Sequence, residues 1–158
     1  MIRKIVINNH REEKKKLSPI TPLYNDCEQV KNINMLFLNE VFVGSDEITK
    51  TVKKKLSGYK SQDVKKNRYN KKLFISYEDT LEKLVISKLK CHYCRHSVLI
   101  MFRDRREKYQ WTLDRLDNTL CHSKDNTVIS CLECNLQKRR RDEKKFKFSK
   151  QMRIIKQN

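Results

Sequence analysis

Residues 91–94 read Cys-His-Tyr-Cys and residues 131–134 read Cys-Leu-Glu-Cys, and these two motifs are the strongest indication of how the chain folds. A Cys-x-x-Cys turn is tight enough to present two thiolates to one ion, and two such turns complete a tetrahedral site of four sulfurs. The pattern favours a structural zinc ion over redox-active thiols, because a single pair is enough for redox chemistry. Zinc would also stabilise a domain too polar to fold readily alone.

Two further cysteines, Cys27 and Cys121, have no partner at this spacing, and we expect them to be buried or free thiols. His92 and His96 lie near the first pair, and either could replace a cysteine as a metal ligand. The start of the chain lacks the pattern of a signal peptide, and no apolar run has the length of a membrane span. Paired cysteines in a reducing compartment indicate metal binding. We therefore expect an intracellular protein of the nucleus, cytoplasm or virion, with no membrane partner.

The charge of the chain indicates a polyanionic partner. Its 158 residues include 37 Lys and Arg against 19 Asp and Glu, a formal net charge of +18. Displacement of counterions from phosphates drives most non-specific binding to DNA or RNA, so nucleic acid is the predicted partner. The alternative is a basic soluble protein with no such partner, but the charge exceeds what solubility requires.

Composition shifts divide the chain into four parts. Residues 1–57 form an N-terminal extension of uncertain fold, 58–90 a helical lead-in, 91–145 the metal-binding module, and 146–158 a basic C-terminal helix or tail. Gly58 marks the first boundary. Short strands are predicted at residues 2–7, 98–102, 109–116 and 127–130, and helices at 46–56, from 61, at 77–89 and from 135. Ser76 and Asp79 have the spacing of a capping box at the start of the helix 77–89. Residues 35–43 could form a strand or a buried helical turn.

The segment between the cysteine pairs is long, with 36 residues (95–130) where simple four-cysteine zinc modules commonly have roughly 15–20. It has room for a β-hairpin and a loop. It contains Gln110-Trp-Thr-Leu-Asp-Arg-Leu-Asp-Asn118 and His122-Ser-Lys-Asp-Asn126, and the second pair stands in Val128-Ile-Ser-Cys-Leu-Glu-Cys-Asn-Leu-Gln-Lys138.

With these motifs, residues 88–142 resemble the HNH (His-Me finger) endonucleases, in the variant that ends in Cys-Asn. They are especially similar to HNH-like proteins of phages and large DNA viruses. The resemblance implies an α+β fold: a zinc-stabilised treble-clef (ββα-metal) module, preceded by helices and an irregular N-terminal extension. It also implies an activity, the metal-dependent hydrolysis of DNA phosphodiester bonds.

The resemblance assigns roles to single residues. Asp114 would be a carboxylate ligand of a catalytic Mg²⁺ or Mn²⁺ ion, and Asn135 would supply an amide oxygen to the same ion. Asn126 would brace the loop between them. A hard cation with few protein ligands keeps positions open for water and phosphate oxygens. The zinc ion would then be purely structural.

One position departs from the family pattern. The general base of the family is a His directly after the Asp, and here that position is Arg115, which stays protonated. His122 is the best local substitute, with Tyr109 or His92 behind it. Otherwise a metal-bound water reacts without a base, or the chain has kept the fold and lost the cutting activity. Arg115 could still bind a phosphate through two of its N–H groups.

The C-terminal segment is strongly basic, with ten Lys and Arg against two acidic residues in positions 138–158. Beside the proposed site, these side chains would bind the phosphate backbone and show little sequence preference. The predicted contacts are Lys138, Arg139, Arg140, Arg141, Lys144 and Lys145. The opposing hypothesis is a non-catalytic nucleic-acid-binding or architectural zinc protein, associated with a virion or with transcription. A third is a subunit of a larger assembly that docks through residues 1–57.

Overall fold

The computed structural model describes residues 26–152, which form an α+β fold. Within this range the helices are α1 (Asp26–Phe37), α2 (Ser45–Lys65), α3 (Tyr77–Ile86), α4 (Leu132–Lys138) and α5 (Glu143–Gln151). The two strands, β1 (Trp111–Arg115) and β2 (Thr127–Cys131), form one antiparallel sheet. The mixed class predicted from the sequence is confirmed, and so is the hairpin between the cysteine pairs.

The hairpin sets the layout of the module. Thr112 lies opposite Ser130 and Asp114 opposite Val128. Side chains alternate along a strand, so Trp111 and Leu113 share one face of β1, while Thr112 and Asp114 share the other. Strand β2 continues directly into α4, which packs on the face of Thr112 and Asp114.

Helix α2 runs along the free edge of β1. Three α2 side chains, each one turn from the next, form hydrogen bonds with alternate residues of the strand. The Lys55 ammonium donates to the carbonyl of Trp111, and the Tyr59 hydroxyl accepts from the amide of Leu113. The Asp63 carboxylate accepts from the side chain of Arg115. Four helix residues advance about 6 Å, and two strand residues advance about 6.6 Å. The two repeats match, so one helix can satisfy the edge of one strand, which would otherwise leave backbone groups unpaired.

The boundary predicted at Gly58 is not seen, because α2 continues through this residue from Ser45 to Lys65. The two short helices predicted on either side of it are one helix. An interior glycine costs a helix about 1 kcal/mol, and the burial of Ile48, Val52 and Leu56 on the same helix outweighs that cost.

The other predicted elements are partly confirmed. Ser76 and Asp79 form the predicted capping box, although α3 ends at Ile86 rather than at residue 89. Residues 98–102 are not a strand, since only Leu99 forms a bridge, to Gln110. The side-chain oxygen of Gln29 accepts hydrogen bonds from the backbone N–H groups of Ile100 and Met101. These bonds replace those that a neighbouring strand would form. The strand predicted at residues 2–7 lies outside the described range.

A single apolar core joins these elements. It extends from Ile33 of α1 through Val52 of α2 and Leu84 of α3 to Trp111 of β1 and Phe146 of α5. None of the helices within residues 26–152 combines the length and apolar character needed to cross a bilayer.

Candidate functional site

Four sulfur atoms meet at the base of the hairpin. The Sγ atoms of Cys91, Cys94, Cys131 and Cys134 lie within 4.8 Å of one another. The predicted four-cysteine cluster is therefore confirmed, and it could hold a metal ion such as zinc. Cys121 is buried elsewhere as a free thiol, and neither His92 nor His96 belongs to the cluster in the described part of the chain.

The two cysteine turns are held by their own backbones and by β2. The amide of Cys91 donates to the carbonyl of His96 (2.9 Å), which closes the first turn. The amide of His92 donates to the carbonyl of Ile129 (2.8 Å) and so joins this turn to β2. The second turn lies at the β2–α4 junction, where the amide of Cys134 donates to the Cys131 sulfur (3.4 Å).

The four sulfurs are close enough to shift one another's pKa. Hydrogen bonds from the Cys131 and Cys134 thiols lower the pKa of Cys91 far below its ordinary range. The pKa of Cys134 is raised, first by its hydrogen bond to Cys131. One thiolate is thus stabilised by its neighbours, but four would repel one another. A divalent cation removes that repulsion and deprotonates the remaining thiols, so the charge of the cluster suits a metal.

Asp114 is buried near the end of β1 and is held through one oxygen. The hydroxyl of Tyr93 donates to its Oδ2 (2.5 Å), and the Lys138 ammonium lies 3.1 Å from the same atom. Burial and the neighbouring Asp114 raise the pKa of Tyr93 well above its ordinary value, so this hydroxyl remains a donor. Both contacts go to Oδ2, which leaves Oδ1 for a further ligand.

Asn135 lies on the same side of the hairpin. Its Nδ2 donates to the hydroxyl of Thr112 (3.0 Å), which leaves its amide oxygen as an acceptor. Thr112 and Asp114 share one face of β1, and Asp114 and Asn135 line the same cleft. A carboxylate and an amide oxygen are ligands that hard cations such as Mg²⁺ and Mn²⁺ accept. The residues present therefore fit such an ion.

Lys138 is not available to bind phosphate, which corrects the prediction. The residue is fully buried. Its ammonium donates to the carbonyl of Arg115 (2.7 Å) and pairs with Asp114. It is one turn after Asn135 on α4, and this places it over β1 rather than on the surface. A buried carboxylate requires a compensating charge, and Lys138 supplies it.

Arg115 and His122 meet at a buried carboxylate that the sequence did not single out. Asp63 of α2 is fully buried; its Oδ1 lies 3.3 Å from Nη1 of Arg115, and its Oδ2 lies 2.9 Å from Nδ1 of His122. His122 lines a small cleft of about 440 Å³ together with Asp114, Arg115 and Asn135. Four of the five predicted catalytic residues thus line one cleft.

The fifth predicted catalytic residue, Asn126, holds the loop between the strands. Its Oδ1 accepts the amide of Asp117 (2.8 Å). Its Nδ2 donates to the carbonyls of Asp117 (2.9 Å) and Cys121 (3.0 Å). Asn126 does not line either cleft at the hairpin. Its contacts fix the path of the chain that carries His122.

A larger cleft of about 1300 Å³ opens beside the hairpin, and both arginines and carboxylates line it. Asp114 and Asn135 line it together with five arginines: Arg68, Arg115, Arg139, Arg140 and Arg141. Lys144 and Lys145 are exposed on α5 but do not line the cleft. The arginines are suited to phosphate, because a guanidinium can bind two oxygens at once.

The sequence alone does not single out three residues of this region: Asp63, Arg68 and Tyr93. Tyr93 stands between Cys91 and Cys94 of the cluster, and this position is the one sequence feature that points to it. Nothing local marks Asp63 or Arg68 among the many polar residues of their segment. They join the site because α2 lies along β1.

No protein-family model, curated protein or solved structure matches this chain. What the region can do chemically therefore follows from its own geometry. A closed set of four thiolates suits a structural metal. The adjoining cleft combines oxygen ligands with guanidinium groups, a pairing suited to a phosphate ester.

Proposed function

We propose that this protein is an HNH-type endonuclease that uses a divalent cation to hydrolyse DNA phosphodiester bonds in the larger cleft. One observation carries the proposal. Asp114 and Asn135, which come from different elements, line a single cleft that five arginines also line. The order β1–β2–α4, with sulfurs at the β2–α4 junction, supports a treble-clef (ββα-metal) module with structural zinc.

Each residue then has a chemical task. Mg²⁺ or Mn²⁺ held by Asp114 and Asn135 would stabilise charge on the phosphate and on the leaving 3′ oxygen. Tyr93 and Lys138 orient the Asp114 carboxylate, and Thr112 orients the Asn135 amide. The arginines of the cleft neutralise the DNA backbone and hold the scissile phosphate in place.

Two observations favour a second candidate, a non-catalytic nucleic-acid-binding or architectural zinc protein derived from such a nuclease. The Lys138 ammonium lies 3.1 Å from Asp114 and opposes the binding of another cation there. Arg115 cannot accept a proton from water. This candidate would bind DNA or RNA in the same cleft without cutting it.

We expect the zinc-loaded protein to nick supercoiled plasmid DNA when Mg²⁺ or Mn²⁺ is added. Asp114→Ala and Asn135→Ala should each lower the rate by about 100-fold or more, the usual effect of losing one group that stabilises transition-state charge. Gel analysis of the nicked product over time measures both rates.

Asp125→Ala and Gln137→Ala are matched controls, because these exposed residues lie on the loop after β1 and on α4 but outside the clefts. They should cut like the wild type. Cutting that persists in both site variants would assign the activity to another site or to a contaminant. Tight binding without cutting by any form would establish the second candidate.

DNA affinity should fall steeply as the salt concentration rises, and the arginines of the larger cleft should account for most of this dependence. Replacement of Arg139, Arg140 and Arg141 by Ala should reduce the slope of log Kd against log salt by up to about 3, since each lost phosphate contact changes it by about 0.9. Fluorescence anisotropy with a labelled duplex over a salt series gives the slope.

A variant with Lys31, Lys50 and Lys54 replaced by Ala is the control, because it loses the same charge from exposed positions outside the cleft. Its slope should stay close to that of the wild type. Equal losses in the two triple variants would show that net charge, and not the cleft, binds the DNA.

A further inference from the structure

Asp63 occupies an unusual environment for a carboxylate. It lies on α2, is fully buried and stands 59 positions before the residue it contacts most closely, His122. Its Oδ2 accepts both the backbone amide (2.8 Å) and Nδ1 (2.9 Å) of His122, and its Oδ1 accepts from Arg115. Both carboxylate oxygens are therefore used, and both serve residues of the β1–β2 region.

These contacts determine the protonation of the imidazole. A carboxylate cannot donate, so Nδ1 of His122 carries the proton and Nε2 carries the lone pair. The ring of Tyr59 lies against the imidazole with centroids 4.8 Å apart and limits its rotation. His122 lines the smaller cleft, which Asp114 and Asn135 also line. The ring is thus held in one tautomer beside the proposed cation ligands.

We infer that His122 is the general base of this site and that Asp63 is the positioning residue that holds it in the basic tautomer. This inference rests on the proposed nuclease function. It assigns a proton acceptor to a chain that has Arg115 where the family has its general-base His. The Asp63 carboxylate that positions His122 also anchors Arg115 at the edge of the cleft.

The step balances with water as the only co-reactant. Nε2 of His122 takes a proton from water as the water oxygen bonds to phosphorus. The bond from phosphorus to the 3′ oxygen breaks, and that oxygen takes a proton from solvent. The products are a 5′-phosphate and a 3′-hydroxyl. His122 then returns its proton to solvent.

The surroundings of His122 keep it neutral at physiological pH. Burial lowers its pKa below the ordinary value of 6.5, opposed by Asp63 and assisted by the charges of Arg115 and Arg68. Tyr59, whose pKa is raised to about 12 mainly by burial, stays uncharged beside it. Because the neutral form is the base, the cutting rate should rise with pH through the His122 pKa and level off above it.

Three variants test the roles. Asp63→Asn can donate to Nδ1 and so favours the wrong tautomer; we expect kcat to fall by about 100-fold or more, the usual contribution of a general base, with a much smaller change in KM. His122→Ala should lose a similar factor and recover in part with added imidazole, which fills the cavity. Asp125→Asn, an exposed carboxylate in the same loop, is the matched control and should behave like the wild type.

A measurement without DNA keeps the inference testable if Asp63→Asn folds poorly. Nitrogen-15 NMR of the zinc-loaded wild type at neutral pH should show His122 protonated at Nδ1 and unprotonated at Nε2, with the resonance assigned by its loss in His122→Gln. The opposite tautomer would overturn the inference. So would full activity of Asp63→Asn or His122→Ala in a preparation where Asp114→Ala is inactive, a result that leaves the nuclease proposal intact. A wild type that never cuts DNA overturns both.

Discussion

Removal of zinc is expected to abolish the cooperative unfolding transition of this protein. Structural zinc in four-sulfur and related sites contributes about 10–16 kcal/mol of apparent binding free energy, whereas a whole domain is stable by only about 5–15 kcal/mol. The cluster also joins the two cysteine turns, with Cys94 and Cys131 sulfurs 3.9 Å apart. Loss of the metal–sulfur bonds removes that link between the two turns.

Circular dichroism melts with and without a strong chelator measure this effect, and elemental mass spectrometry should find one zinc ion per chain. Cys131→Ala should lose the metal and the transition. Cys121→Ala is the matched control, since Cys121 is a buried thiol outside the cluster, and it should retain one zinc ion. A protein that melts identically after complete removal of metal would contradict the structural role.

The second large effect is expected from Lys138→Met, which should lower the free energy of unfolding by about 3–5 kcal/mol, the usual cost of breaking a buried ion pair from one side. The variant leaves the Asp114 carboxylate buried with Tyr93 as its remaining partner. It also removes the donor to the carbonyl of Arg115. Urea unfolding of the zinc-loaded protein measures the change.

Lys144→Met is the matched control, because Lys144 is exposed on α5 and its replacement should change stability by no more than about 0.5 kcal/mol. The double variant Lys138→Met with Asp114→Asn should recover part of the loss, since the unpaired charge is gone, and the double-mutant cycle isolates the pair. Equal stability of the Lys138 and Lys144 variants would show that the pair does not support the fold.

Structural elements that depend on a few adjacent residues could be predicted from the sequence. The spacing of Cys91 with Cys94 and of Cys131 with Cys134 is local, as is the capping box of Ser76. A tight turn or a helix start is determined by a few adjacent residues, so its pattern can be read directly. The hairpin followed from the same reasoning, because alternation along a strand also repeats over short distances.

Features that depend on distant packing were not accessible in this way. Lys138 looked like one more member of a basic run, yet α4 turns it inward against Asp114. Gly58 looked like a boundary, yet α2 continues through it because its apolar side chains are buried. In both cases the decisive energy comes from burial against another element, and a short stretch of sequence does not contain that information.

The spacing of the four cysteines, and the hairpin and basic helix that adjoin them, can thus be predicted from short stretches of sequence. Which polar side chains complete the cleft depends on the packing of distant elements. Asp63 reaches Arg115 because the turns of α2 and the residues of β1 repeat at nearly the same distance, about 6 Å, and the loop after β1 brings His122 to the same carboxylate. That match operates between segments about fifty residues apart, where no local propensity acts, and it turns one carboxylate of a charged helix into a buried partner for His122 and Arg115.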